Sequence, residues 1–547
     1  MKYALVLLIA VSVSFALIPW SFRYQSTANL FEDDYDLLFD PARMPEIDGS
    51  RLYTSLANFV TGGENLFSNY SVPFILIGGS TKYMDYYPGF VLDRSSFKNA
   101  LYTGLGPEDD PLYGEGEVTT TTWQDTTGDG TPDITTTESE KRLAYDKEDE
   151  ADYYLGIAKK FNSLRFGLGF MRQEYKNTYT DPDNNVNYAL TVYDEIGNDF
   201  TYLDSATSAG DNVFNSTDND FILSLWYDSD NWSLGVRTGY GMFGLQDQAI
   251  IAGREAEYSD PTEMDSLHTI NTSLDSLDAP QSGTRIPIYL TLFYNYSENA
   301  QGRFYLGYRM ESHKYKDGAI DFVTATGEEI YNDYTLTYDT TITNISGEGN
   351  TNTISAGTKH LWKVNPRLNF GMGVLFSTAS FSDSVNHVDA STEVLDYNDG
   401  DTISSEYDDY VQTSTYTETW MTTTDGSVKS FTFPVGVEFF VLNNALCFRL
   451  GATHTLSFTE NTIVNEMVDY EPGVTTIVYG NDTTYESIQD NGEIPATTEI
   501  IKETTSYTNY AFGLGWNVNK NFHLDLMGFS DLTDMSNWRL SAKFMFD

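Results

Sequence analysis

The sequence has almost no cysteine, few basic residues and, after its first residues, no long apolar run. Cys447 is the only cysteine among 547 residues, so an internal disulfide framework is excluded. Lysine and arginine number 31 against 80 aspartates and glutamates, and the net charge of −49 would repel a phosphate backbone. We therefore expect no nucleic-acid partner. The chain also lacks the roughly 20 consecutive apolar residues that a membrane helix needs, although alternating barrel strands would escape this test.

The sequence also lacks the motifs of common enzymes. It contains no G-x-S-x-G elbow, no P-loop and no paired-cysteine motif, and its six histidines do not have metal-ligand spacing. His523 and Asp525 stand two residues apart on one strand face, a spacing that is more often structural than catalytic. We expect no enzyme activity and no cofactor, apart from the calcium alternative discussed below.

The first residues have the pattern of a signal peptide. Lys2 is followed by an apolar run over residues 3–13, which is too short to span a bilayer. Ser14 and Ala16 then provide small residues at the positions that a signal peptidase reads. The pattern predicts export and cleavage after Ala16.

Much of the remaining chain alternates between apolar and polar residues with a period of two. Ile286, Ile288 and Leu290, for example, alternate with Pro287 and Tyr289, as in a strand with one apolar face. The second face of such segments is rich in glycine, serine, asparagine and single arginines, whereas a strand facing water carries mostly lysine, glutamate and threonine. This composition favours an antiparallel transmembrane β-barrel over a water-soluble sandwich. The apolar face would contact lipid, and the other face would enclose a lumen.

The connections between the predicted strands are of two kinds. Short turns, such as residues 161–163 and 442–445, alternate with long polar segments, such as residues 178–217, 246–283 and 383–428. This asymmetry predicts short periplasmic turns and long extracellular loops. The predicted fold is all-β, an antiparallel barrel of about 14 strands, within a range of 12 to 16. The last strand resembles the signal that barrel-assembly machinery reads, except that the chain ends on Asp547 rather than on an aromatic residue.

A short motif near the N-terminus carries a family resemblance. Phe39, Asp40, Pro41 and Ala42 follow an acidic stretch that starts at Asp33. This region resembles the N-terminal region of the FadL/OmpP1/TodX family, in which asparagine usually stands where this chain has Asp40. The resemblance implies a monomeric 14-stranded outer-membrane barrel, a short N-terminal segment inside the lumen, and diffusion of small hydrophobic compounds. The alternative is an ordinary periplasmic lead-in to the first strand.

The predicted division of the chain follows from these patterns. Residues 1–16 form the signal peptide, residues 17–49 a periplasmic or lumenal segment, and residues 50–547 the barrel. Charged residues on the polar face are candidates for the lining of the lumen. They would form either a constriction that selects solutes by charge or a salt-bridged network that fills the barrel. The candidates are Arg165, Arg237, Arg309, Glu311, Glu438, Arg449, Asp525 and Arg539.

One loop resembles a calcium site. Asp125, Asp129 and Asp133 stand at positions 1, 5 and 9, with Gly130 at position 6, as in loops whose hard oxygens converge on calcium. Thr127 occupies position 3, and position 12 holds no glutamate. Because threonine-rich, strand-like runs flank the loop, a plain hairpin tip without metal is the competing prediction.

Two functions fit these predictions. The first is a transport channel, which the family resemblance implies would carry small hydrophobic compounds by diffusion. The second is a non-conducting structural or surface-interaction barrel with acidic extracellular loops. In both cases we expect the protein in the bacterial outer membrane, in contact with lipid or lipopolysaccharide and assembled by the barrel-assembly machinery. A TonB-dependent receptor is disfavoured, because the strands begin near Arg51 and leave no room for a large plug domain.

Overall fold

The computed structural model describes residues 21–57, 75–100, 115–124, 134–143, 145–180, 186–194, 199–259, 268–330, 333–398, 409–480, 483–489, 492, 494–528 and 539–546. The predicted signal peptide (residues 1–16) and calcium loop (residues 125–133) lie outside these residues. Within the described residues, the helices are α1 (Phe22–Ser26) and the 3-10 helices η1 (Asp36–Phe39) and η2 (Pro41–Glu46). Within the described ranges, no helix is long and apolar enough to cross a membrane.

The remaining elements are strands. They are β1 (Ser50–Ala57), β2 (Ile75–Ser80), β3 (Tyr86–Ala100), β4 (Glu115–Gln124), β5 (Ile134–Leu143), β6 (Tyr145–Phe161), β7 (Leu164–Thr180), β8 (Val186–Asp194), β9 (Asp199–Asp228), β10 (Trp232–Ser259), β11 (His268–Ser297), β12 (Ala300–Ile330), β13 (Asp333–Asn365), β14 (Leu368–Asn398), β15 (Tyr410–Val441), β16 (Leu446–Tyr479), β17 (Thr484–Gln489), β18 (Thr497–Asn519), β19 (Phe522–Gly528) and β20 (Arg539–Phe546).

Sixteen of these strands close into a barrel. The ring runs β1-β2-β3-β6-β7-β9-β10-β11-β12-β13-β14-β15-β16-β18-β19-β20, and every pairing is antiparallel. The first and last strands complete it, from Ser50 opposite Phe546 to Ala57 opposite Arg539. Outside the ring, β4, β5 and β8 extend from β9, and β17 pairs with the end of β16. The predicted all-β barrel is confirmed, with a strand number at the upper end of the predicted range.

The two ends of the barrel differ. Tight turns lie at one end, for example at residues 162–163, 298–299 and 366–367. At the other end, much of what was predicted as long loops is β-structure. Strands β12 and β13, of 31 and 33 residues, stay paired out to Ile330 opposite Asp333. The predicted long loops are therefore corrected to long strands at this end. Threonine, tyrosine and valine favour strands, and two polar strands can be stabilised by pairing with each other without an apolar face.

The two faces of the wall follow the predicted alternation. Ile288 is 43% exposed on the outer face, whereas Arg285, on the inner face of the same strand, is 9% exposed. Near the tight turns, the rings of Tyr296, His360 and Trp362 stack in a row on the outside, with neighbouring centroids 5.9 Å apart. An exposed apolar band edged by aromatic rings is the surface expected of a membrane barrel.

Residues 21–49, which we name the lumenal segment, lie inside the ring. They precede β1 at the turn end and contact strands on several sides of the barrel. Inward-facing glycines make room for them, because a Cβ added at Gly167, Gly436, Gly451 or Gly513 would collide with the segment. These glycines belong to β7, β15, β16 and β18. A segment that contacts strands so far apart in a closed ring must lie within the ring.

Candidate functional site

The lumenal segment is held in shape by its own hydrogen bonds. Ser21 caps α1 by accepting from the backbone N–H of Tyr24. Its own N–H and hydroxyl donate to the Asp36 carboxylate at 2.7 and 2.6 Å. The Asp33 N–H donates to the same carboxylate at 2.8 Å. Asp36 therefore ties the start of the segment to the turn that precedes η1.

One side of the segment forms an apolar core with the wall. Leu38, Phe39 and Met44 are almost wholly buried, and the centroids of the Phe39 and Tyr154 rings are 5.2 Å apart. Full burial of such a side chain is worth roughly 1.5–3 kcal/mol, so this contact is a large part of the attachment. The wall residues in this core are Tyr53, Leu76, Val91, Tyr154, Ala158, Met171 and Ile222, all on β1, β2, β3, β6, β7 and β9.

The motif at residues 39–42 contacts the wall through Asp40. Pro41 starts η2, a position at which its missing N–H and fixed φ are favourable. The Asp40 carboxylate accepts a hydrogen bond from Trp226 Nε1 at 2.7 Å and a second one from the Ser224 hydroxyl. Ala42 is wholly buried. An asparagine at position 40 would offer only one oxygen to these two donors.

A first group of ion pairs holds the middle of the segment. Glu32 contacts Arg43 at 3.0 Å and the wall residue Arg303 at 2.8 Å. Burial alone would raise the pKa of Glu32, but Arg43 and Arg303 outweigh it and lower the pKa to about 2. Glu46 bonds to Arg43 and to Arg165 of β7. The segment thus contributes both acidic and basic groups to the network.

A second group of ion pairs holds the beginning of the segment. Arg23 donates to the two oxygens of Glu438, at 2.7 and 2.8 Å, and Glu438 has no solvent exposure. Arg449 lies 3.4 Å from Glu438 and also pairs with Asp525. His523 contacts Asp525 at 2.9 Å, so the His523 and Asp525 side chains belong to this network. We name Arg23, Glu438, Arg449 and Asp525 the ionic latch.

The predicted lumen residues fall into three places. Arg165, Glu438, Arg449 and Asp525 belong to the networks around the segment, and Arg237 donates to the Phe39 carbonyl at 3.4 Å. Arg309 and Glu311, 3.4 Å apart, lie further from the turns. Arg539 lies in β20 opposite Ala57.

Sequence reasoning missed several wall residues that contact the segment. Arg303 and Lys359 are inward-facing by the same alternation that predicted Arg309, so that pattern could have found them. The Lys359 ammonium donates to the Asn29 carbonyl at 2.7 Å. Ser224 and Trp226 carried no signal, because a tryptophan in an alternating strand normally indicates an apolar face.

A more polar layer lies above the segment, on the side away from the turns. Arg285 contacts Asp218 at 2.6 Å and also pairs with Asp220. Asp383 accepts from the Tyr315 hydroxyl at 2.9 Å and lies 3.5 Å from His313 Nε2. In the described part of the chain, no group of three or more histidines, cysteines or carboxylates could hold a metal ion. The calcium site at Asp125, Asp129 and Asp133 stays a prediction.

Comparison with known proteins gives only distant likenesses. No protein-family model and no curated protein matches this chain. It is similar to the FrpB iron transporter from Neisseria meningitidis (F5-1 variant), with a TM-score of 0.29 and 10% identity over 94% of this chain and 84% of that one. It is also similar to the P. putida toluene transporter TodX, with a TM-score of 0.28 and 10% identity over 96% and 98% of the two chains.

A third likeness is to the outer membrane transporter YddB from Escherichia coli, with a TM-score of 0.28 and 7% identity over 91% and 81% of the two chains. These scores are too low to support an argument, and the fold rests on the strand pairing. The predicted membership of the FadL/OmpP1/TodX family stays a prediction.

Proposed function

We propose that this chain is a transport barrel of the bacterial outer membrane, closed near its turn end by its own lumenal segment. The observation that carries the proposal is the contact of this segment with strands on several sides of the ring. The exposed apolar band on the outer face supports a membrane location, because such a surface would be costly in water.

The way in which the lumen is filled favours transport over a purely structural role. A barrel that only needs a core could fill it with side chains from its wall. Here several inward positions that face the segment are glycines, among them Gly167, Gly371, Gly436 and Gly451. The wall therefore leaves a wide space at this level. The segment fills it, joined to the wall through Gly49 at the start of β1 and otherwise held by non-covalent contacts. Withdrawal of the segment would open that space.

The apolar core supports the solute class that the family resemblance implies. Withdrawal of Leu38, Phe39 and Met44 would expose Val91, Tyr154 and the other apolar wall residues to the lumen. A small, partly hydrophobic solute could then contact the same surface. The alternative function, a non-conducting surface barrel, is supported by the long polar strands, such as β13 and β16, that continue beyond the apolar band.

Conductance separates the two functions. We would compare the whole protein with a variant that lacks residues 21–49 in planar lipid bilayers, after checking both for heat-modifiable gel mobility. The proposal predicts rare openings for the whole protein and a steady, larger conductance for the variant. A folded variant that stays electrically silent would contradict transport and leave the surface barrel as the better account.

A further inference from the structure

A continuous belt of inward-facing residues crosses the wall above the lumenal segment. Its members are direct cross-strand neighbours from β3 to β15, and most of them are polar. A second inward row, containing Asp220, Arg285 and Glu311, lies immediately below it, towards the turns. In strand order the belt consists of Asp93, Asp152, Gln173, Asp218, Phe243, Gly283, His313, Gly349, Asp383 and Thr424.

The two rows carry more negative than positive groups. Besides the four belt aspartates, Asp220 and Glu311 face the same interior. Arg285 is shared between Asp218 and Asp220. Arg309 lies one row lower and contacts Glu311. Among the described residues of this layer, these two guanidinium groups and the His313 imidazole are fewer than the six carboxylates. The interior at this height is therefore a site of negative potential.

Several buried polar atoms in this layer have no hydrogen-bond partner among the described residues, although the Oδ2 atoms of Asp152 and Asp218 contact Gln173 and Arg285. Asp152 and Asp218 are 7% and 8% exposed, and the Oδ1 atom of each has no hydrogen-bond partner among the described residues. Gln281 is 4% exposed and lies one row above Gly283. Neither its Nε2 nor its Oε1 finds a partner in the described ranges. A buried polar group left in this state destabilises the fold, and more so when it is charged, so a ligand that supplies the missing donors would be favoured.

An aromatic ring lies among these acceptors. Phe243 stands between Asp218 and Gly283 in the belt, and its ring covers the space that a side chain at Gly283 would fill. A ring face attracts a cation within about 6 Å of its centroid. The layer therefore combines negative charge, acceptors that lack donors, and an aromatic surface.

We propose that this belt binds the positively charged group of an organic cation, an ammonium or guanidinium, whose N–H groups donate to Asp218 and Gln281 beside the Phe243 ring. The inference rests on the proposed function, which it deepens by naming the charge of the solute. The solute would be small and partly hydrophobic, with a cationic group held at the belt. Asp152 lies two strands from Asp218, about 10 Å between backbones, and its carboxylate adds to the negative potential around the cationic group.

Three probes with one apolar body and different charge test this inference. Phenethylamine is cationic, 2-phenylethanol is neutral and phenylacetate is anionic. Titration calorimetry on the whole protein in detergent should show binding in that order, with phenethylamine at least tenfold tighter than phenylacetate. A D152N/D218N variant should lose at least tenfold in affinity for phenethylamine. A matched D425N variant, altered at an exposed position on β15, should bind like the wild type.

The outcomes are distinct. Equal binding of phenethylamine and phenylacetate, or unchanged affinity in folded D152N/D218N, would overturn the inference. Binding of Mg²⁺ alone, without phenethylamine, would also overturn it. If the double variant does not fold, Q281L must weaken phenethylamine binding for the inference to stand. Because binding is measured without transport, a silent barrel that still binds phenethylamine would refute the proposed function and leave the belt site intact.

Discussion

The ionic latch gives a prediction whose size follows from the structure. Glu438 is wholly buried and accepts from Arg23 and from Asn369, the latter at 3.0 Å, while Arg449 lies 3.4 Å away. Replacing Glu438 by alanine removes the acceptor and leaves the half-buried Arg23 guanidinium beside the buried Arg449 guanidinium without the carboxylate between them. Breaking a buried ion pair by removing one partner typically costs 3–5 kcal/mol.

That cost falls mainly on the attached state of the lumenal segment. Since about 1.4 kcal/mol corresponds to a tenfold change in an equilibrium constant, the detached population should rise roughly 10²- to 10⁴-fold. Trypsin, which cleaves after Arg23 and Arg43, reports on this population when detergent-solubilised, folded protein is digested and its fragments are weighed by mass spectrometry. Glu438→Ala should be cleaved much faster than the wild type. Glu438→Gln keeps an acceptor but loses the charge, so its rate of cleavage should lie between those of the wild type and Glu438→Ala.

The control is an ion pair on the exposed wall. Glu460 contacts Lys502 at 2.7 Å, and both side chains are more than half exposed. Because water screens this pair, Glu460→Ala should be cleaved in the lumenal segment at the wild-type rate. The reasoning is refuted if folded Glu438→Ala resists trypsin as well as the wild type does, or if the two alanine variants behave alike.

Three further predictions concern other contacts. Gly167→Val should release the segment without unfolding the barrel, because its side chain would collide with the backbone around Ala42; higher single-channel conductance would show this. The ion pairs of Glu32 stabilise the attached lumenal segment. Because the pKa of Glu32 is lowered to about 2, this stabilisation is complete above its ordinary pKa and is lost as the pH falls through about 2. Pepsin should therefore attack the segment faster at pH 2 than at pH 4. Leu290→Arg, in the apolar band, should cost about 2–4 kcal/mol of folding into lipid vesicles, whereas Tyr338→Arg, on the polar wall, should fold with normal yield.

The sequence predicted the wall of the barrel much better than its contents. The face of each residue in a strand follows from the two-residue period, and in the structure Leu290 is 40% exposed on the outer face whereas Arg449 is 4% exposed. The height of the wall was not predictable in this way. Residues 246–259 and 268–283 are polar and lack apolar alternation, and their strand structure depends on pairing with each other.

The attachment of the lumenal segment could be predicted only in part. The motif at residues 39–42 drew attention to the correct region through its resemblance to a known family. Its partners could not be identified, because Asp40 and Trp226, or Arg23 and Glu438, are far apart in the chain and meet only when the ring closes. The alternation gives the face of each wall residue but not its height relative to the segment.

The location of the segment inside the barrel can be measured directly by disulfide cross-linking. Asp40 contacts Ser224 on the inner face of β9, while the next residue, Leu225, faces outward. With Cys447 replaced by serine, cysteines at 40 and 224 should form a disulfide in folded protein, and cysteines at 40 and 225 should not. Equal cross-linking of both pairs, or none at 40 and 224, would contradict a segment held within the lumen.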